Sequence, residues 1–110
     1  MIEKTIIDYL DSIIGHVYAE QPEVMPSEFV LVEKTGSGMT DCIKRATIAV
    51  QSYAKTMLEA AELNEQVKDA MLDIVCLDEI ASCRLNSDYN FTDTSQKRYR
   101  YQAVFDITHY

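Results

Sequence analysis

Basic residues, proline and glycine are all scarce in this chain of 110 residues: ten Lys and Arg stand against eighteen Asp and Glu, beside two prolines and three glycines. The resulting net charge of −8 argues against general nucleic-acid binding, because contacts to phosphate need a basic surface. No apolar run approaches the roughly 18 residues of a membrane span, so no membrane partner is expected. The start, Met1-Ile2-Glu3-Lys4-Thr5, has neither the basic lead nor the continuous apolar core of a secretory signal, which places the expected working compartment in the cytoplasm. Three cysteines, Cys42, Cys76 and Cys83, are odd in number and nowhere spaced as C-x-x-C. Buried, reduced thiols are the expectation for them. The sequon Asn90-Phe91-Thr92 would matter only in a secreted chain.

What is present suits one domain covering residues 1–110, with enough apolar content (47%) for a single core. Residues 2 to 14 carry Ile2, Ile6, Tyr9, Leu10, Ile13 and Ile14 at three- and four-residue steps. This is an amphipathic helix that Gly15 can end in a left-handed conformation. His16 to Glu20 reads as a short strand, and Gln21 to Ser27, holding both prolines, as a loop. Strands over 29–34 and 47–53 form a hairpin around a loop of about ten residues, in which Gly36 and Gly38 supply loop conformations. Thr56-Met57-Leu58-Glu59 is a capping box opening a helix to about Cys76, with Ala60, Leu63, Val67, Ala70, Met71 and Ile74 on its apolar side. A strand over 79–90 and a terminal strand from Tyr99 close the chain across a loop at 91–98. The terminal strand alternates Tyr99, Tyr101, Ala103, Phe105 and Ile107 with polar residues, a period of two. The expected fold is α+β: two helices, 2–14 and 56–76, on one face of a four- to five-stranded, mostly antiparallel sheet, in the order α-β-β-β-α-β-β.

Residues that could carry chemistry are dispersed. Catalysis would need a nucleophile beside a base, or several converging ligands, whereas His16 and His109 lie in separate strands. No catalytic, cofactor or metal set is assigned, and a small thiol- or metal-dependent enzyme stays as the reading from another class. Gly36-x-Gly38 joins two strands and lacks the Lys-Ser/Thr and helix of a phosphate cradle. Charge is uneven. Acids crowd Glu59, Glu62, Glu65, Asp69, Asp73, Asp78 and Glu79, while bases cluster at Lys44-Arg45 and Lys97-Arg98-Arg100. Such a molecule could pair with its own copies head to tail, and solvated surface charge explains the pattern equally well. Strand tyrosines such as Tyr53, Tyr89, Tyr99 and Tyr101 fit either a core edge or an interface.

The segment Glu28-Phe29-Val30-Leu31-Val32-Glu33-Lys34-Thr35-Gly36-Ser37-Gly38 and the ending Tyr89-Asn90-Phe91-x-Asp93 … Arg98-Tyr99-Arg100-Tyr101-Gln102-Ala103-x-x-Asp106 resemble the tail terminator, or tail completion, proteins of tailed bacteriophages and prophages. The likeness spans nearly the whole chain, with Ser37 where a second glycine is usual. It implies a structural protein, not an enzyme, forming a homo-hexameric ring on the last ring of the tail tube. The ring ends tube polymerisation and offers the head-completion or connector protein a surface, first in the host cytoplasm and then in the virion tail. A head-completion or connector protein of the neck is the alternative within the structural class. Thr35 to Ile43, with Gly36, Ser37, Gly38, Met39, Thr40 and Asp41, is the candidate contact with the tube or ring lumen. Glu62, Glu65 and Asp69 against Lys97, Arg98 and Arg100 are the candidate subunit interface.

Overall fold

The computed structural model describes residues 1–24, 26–92 and 99–110. Helix α1 (Ile2–Ile13) is followed by strands β1 (Val17–Tyr18), β2 (Phe29–Thr40) and β3 (Ile43–Ala54), helix α2 (Met57–Leu72), a 3-10 turn at Ile74–Cys76, and strands β4 (Ile80–Asn90) and β5 (Tyr99–His109). The α+β order read from the sequence is therefore the order of the fold. The strands form a single sheet ordered β1-β2-β3-β5-β4. Only the β1–β2 pair is parallel; the β2–β3, β3–β5 and β4–β5 pairs are antiparallel. β5 thus slots between β3 and β4, which the α2 crossover connects.

Both helices lie on the same sheet face, because their apolar stripes and the inward strand residues form one cluster. Ile6 and Leu10 of α1 meet Val67 and Met71 of α2 over Val30, Ile48, Val50, Phe105 and Ile107, all buried. The period-3.6 reading of α2 holds at Ala60, Leu63, Val67, Ala70, Met71 and Ile74, every one buried. In α1, Ile13 departs from its assigned side and is exposed. Gly15 ends α1 at φ +82°, and His16 follows with φ +54°. The Thr56 Oγ1 accepts from the Glu59 backbone N–H at 3.2 Å, as the capping box predicts. The return contact from the Glu59 carboxylate to the Thr56 backbone does not form among the described residues. α2 ends earlier than expected, at Leu72, and the segment to Cys76 tightens into the 3-10 turn, which still buries Ile74.

The largest correction concerns the hairpin. Thr35 to Ile43 is not a loop: β2 continues to Thr40, β3 begins at Ile43, and Asp41-Cys42 alone makes the turn. Its two central residues have φ +52° and +67°, the left-handed pair of a two-residue hairpin turn whose twist matches that of the strands. A register shift between Lys34 and Gly36 marks a bulge at Thr35. Gly36 and Gly38 are accordingly strand residues, neither with positive φ. A Cβ at Gly36 would make ordinary contact with Thr47, and one at Gly38 would meet open space. The sequence signal failed because residues 33–45 are exposed on both faces. Without a buried face, nothing imposes a period of two.

Candidate functional site

This hairpin arm, the extension of β2 and β3, holds all of Gly36, Ser37, Gly38, Met39, Thr40 and Asp41, each exposed. Strand pairing sets which way its side chains point. Met39 pairs with Lys44, Lys44 with His109, and His109 with the buried Ile80, so Met39 and Lys44 look toward the helix side. Arg45, opposite Thr108, looks toward the other side. Two open clefts flank the arm. One of ≈490 Å³ on the helix side includes Met1, Lys34, Met39 and Lys44. The other, of ≈430 Å³, includes Gly36, Gly38, Arg45 and Asp106. Lys34 is held by Glu3 at 3.8 Å.

On α2, Glu62, Glu65 and Asp69 are exposed. Glu65 already has a partner: Lys68 Nζ lies 2.7 Å from its Oε1 and 2.6 Å from Asp88 Oδ2 on β4. These hydrogen bonds, donated by Lys68 to Asp88 and Glu65, hold its ammonium above its ordinary pKa. Beside it, the buried Asn64 donates from Nδ2 to Asp88 Oδ2 at 3.3 Å. This clamp ties α2 to the edge strand. Sequence reasoning missed it because Asn64 and Lys68 became one cluster only when the crossover laid α2 beside Asp88. The visible hint was the three-residue spacing of Glu65 and Lys68, which lets that ion pair form within one helix.

The sheet face opposite the helices is covered by no described helix, and around Tyr53 its polar groups bond to one another. Phe29 stacks on Tyr53 with centroids 4.6 Å apart and planes at 7°. Arg100 donates from Nη1 to the Tyr53 hydroxyl at 2.8 Å and from Nε to the Phe91 carbonyl at 3.0 Å. Its guanidinium lies over the Phe91 and Tyr53 rings, at 4.2 and 5.4 Å from their centroids. From Tyr53 the line continues through Gln51 and Gln102 to the Tyr89 hydroxyl, crossing β3, β5 and β4. Arg100, named as an interface cation, is thus engaged inside its own chain. Lys97 and Arg98 lie outside the described residues.

The cysteines do not assemble a thiol site. Cys42 and Cys76 are exposed, contrary to the expectation of burial, and only Cys83 is partly covered. Burial pushes the Cys83 thiol up to about 11, with the Asp106 carboxylate adding to the shift. Its reactive thiolate is correspondingly rare at neutral pH. The ring of His16 faces the Tyr18 hydroxyl, and that of His109 the Tyr110 carbonyl. Among the described residues, no three His, Cys, Asp or Glu side chains converge as metal ligands, and no helix is long and apolar enough to cross a membrane. No protein-family model and no curated protein matches this chain.

Proposed function

We propose that this chain is a structural subunit of a tailed bacteriophage or prophage, forming a homo-hexameric ring that caps the tail tube. The ring ends tube polymerisation and presents a docking surface to the head-completion protein, in the host cytoplasm during assembly and in the virion tail afterwards. The observation that carries this reading is the far end of the β2–β3 hairpin: residues 33–45 are solvated on both faces and add nothing to the core, and the tip from Thr40 to Ile43 runs past the last β3 residue paired with β5, Lys44. A hairpin end that contributes no core residue is suited to contact another subunit. The motifs Glu28 to Gly38 and Tyr89 to Asp106 support it through their likeness to tail terminator proteins. The contact residues are Gly36 to Asp41, now paired strand residues and a tight turn in place of a loop, so docking needs less ordering of the chain.

The test is addition of the purified chain to growing tail tubes of the tube protein encoded by the same phage or prophage genome. The expected outcome is one ring at a single tube end, a native mass of six subunits for the bound cap, and arrested elongation. Tubes that grow to unchanged length with no chain at their ends would sink the proposal.

A further inference from the structure

Acids outnumber bases in this chain, yet two neighbouring cations go unpaired. Among the described residues the ion pairs are Lys4–Asp8, Lys34–Glu3, Lys68–Glu65 and Lys68–Asp88, and neither Lys44 nor Arg45 takes part. Asp41 lies at the same turn and pairs with neither. Since Lys44 and Arg45 point to opposite sides of the arm, each of its faces carries a cation near the end.

A row of unpaired carboxylates lies elsewhere. Glu59, Glu62, Asp69 and Asp73, with Gln66 between them, fall at steps of three and four along α2 and its cap. All are exposed, on the side opposite the buried Ala60, Leu63, Val67 and Met71. This crest runs for roughly 20 Å at about 1.5 Å per residue. None of the four carboxylates has a cation partner among the described residues, and no ion pair among those residues offsets their mutual repulsion. The fold keeps the arm from reaching the start of the crest. Met57, in the first turn of α2, accepts a hydrogen bond from Asn90, which pairs with Tyr101 near one end of β5; Lys44 pairs with His109 at the other end. Apolar groups accompany both patches: Met39 (68% exposed) and Ile43 (40%) on the arm, Leu58 (69%) and Leu72 (48%) beside the crest.

We propose that the arm of one copy seats end-on against the α2 crest of a second copy, so that Lys44 and Arg45, on its two faces, straddle the crest and meet Glu62 and Asp69. Two different patches per subunit make the contact heterologous, which propagates head to tail and closes into a ring when the rotation allows. The pairing rests on the ring reading given above and replaces the Arg100 contact, because Arg100 is occupied. Charge supplies the register and encounter rate, and the apolar flanks supply buried area.

The test is sedimentation of the purified full-length chain, alone, at about 0.5 mM in about 0.05 M and about 0.5 M salt. The unmodified chain should associate at low salt and dissociate at high salt. K44E/R45E and E62K/D69K, all exposed positions, should each raise the dissociation constant at least about tenfold, since attraction becomes repulsion at both contacts. Mixing the two variants in equal amounts should restore association, because each acidic arm then meets a basic crest and each basic arm an acidic one. Urea unfolding of each variant confirms that it is folded. An unmodified chain that stays monomeric, a variant that associates as the parent does, or a mixture that stays apart would each overturn the pairing. Association that passes this test in a chain unable to stop tube growth would overturn the capping reading and leave the pairing standing.

Discussion

Replacing Arg100 by Ala separates an intramolecular role from an interface role, because the two predict opposite readouts. The substitution removes the donor to the Tyr53 hydroxyl at 2.8 Å, the donor to the Phe91 carbonyl at 3.0 Å, and the cation over both rings. The backbone bonds survive: the Arg100 N–H still donates to Thr92 Oγ1, and the Phe91 N–H to the Arg100 carbonyl. A half-buried hydrogen bond from a charged donor contributes about 1 kcal/mol, and a solvated one about 0.5 kcal/mol. Cation–ring contact at such a site adds about 0.5 kcal/mol. Arg100→Ala should therefore cost about 2 kcal/mol, and it leaves the Tyr53 hydroxyl donating to Gln51. In urea unfolding this lowers the midpoint by about 1 M, and in a thermal melt it lowers Tm by roughly 10 °C. Arg100→Lys keeps the charge but loses the planar fork, and should recover less than half of the loss. Self-association, measured where both proteins are folded, should be unchanged. A variant with the parent's urea midpoint and abolished self-association would refute the reasoning and return Arg100 to the subunit interface.

Three further outcomes are expected. Cys42→Gly relieves a side chain held at φ +67° and should raise stability by about 1 kcal/mol in urea unfolding; a destabilised variant would mean that the Cys42 side chain contributes at the turn. Thr56→Ala removes the hydroxyl that accepts from Glu59 and should cost about 1 kcal/mol, read as a lower urea midpoint, with Thr56→Ser recovering most of it. Alkylation near pH 8 should modify Cys42 and Cys76 quickly, while Cys83, with its pKa at about 11 instead of the ordinary 9.0, presents roughly 100-fold less thiolate and reacts last unless the chain is unfolded. Because that folded-state pKa is raised, the Cys83 contribution to stability is whole below pH 9.0 and is lost as pH climbs toward 11. Lys68, also raised by its hydrogen bonds to Asp88 and Glu65, acts with the same sign, so urea midpoints should fall through the alkaline range.

Local periodicity by itself determined the two helices, their buried stripes, the end of α1 at Gly15, the Thr56 cap and the class of the fold. Each depends on neighbours within a turn or two, and each has one buried face to stamp its pattern on the chain. The inner half of β5 was legible for the same reason: Ala103, Phe105 and Ile107 are buried in alternation. Tertiary structure decided what lacks such a face. The hairpin arm has solvent on both sides, so its strands leave no alternation and its glycines read as loop residues. Strand order was likewise hidden, since only the α2 crossover placed β5 between β3 and β4. That placement set Asp88 beside Lys68 and Asn64, and Arg100 against Tyr53. Which cations stay free for a partner therefore depended on contacts between residues 20 and 47 positions apart, a pairing that local periodicity does not encode.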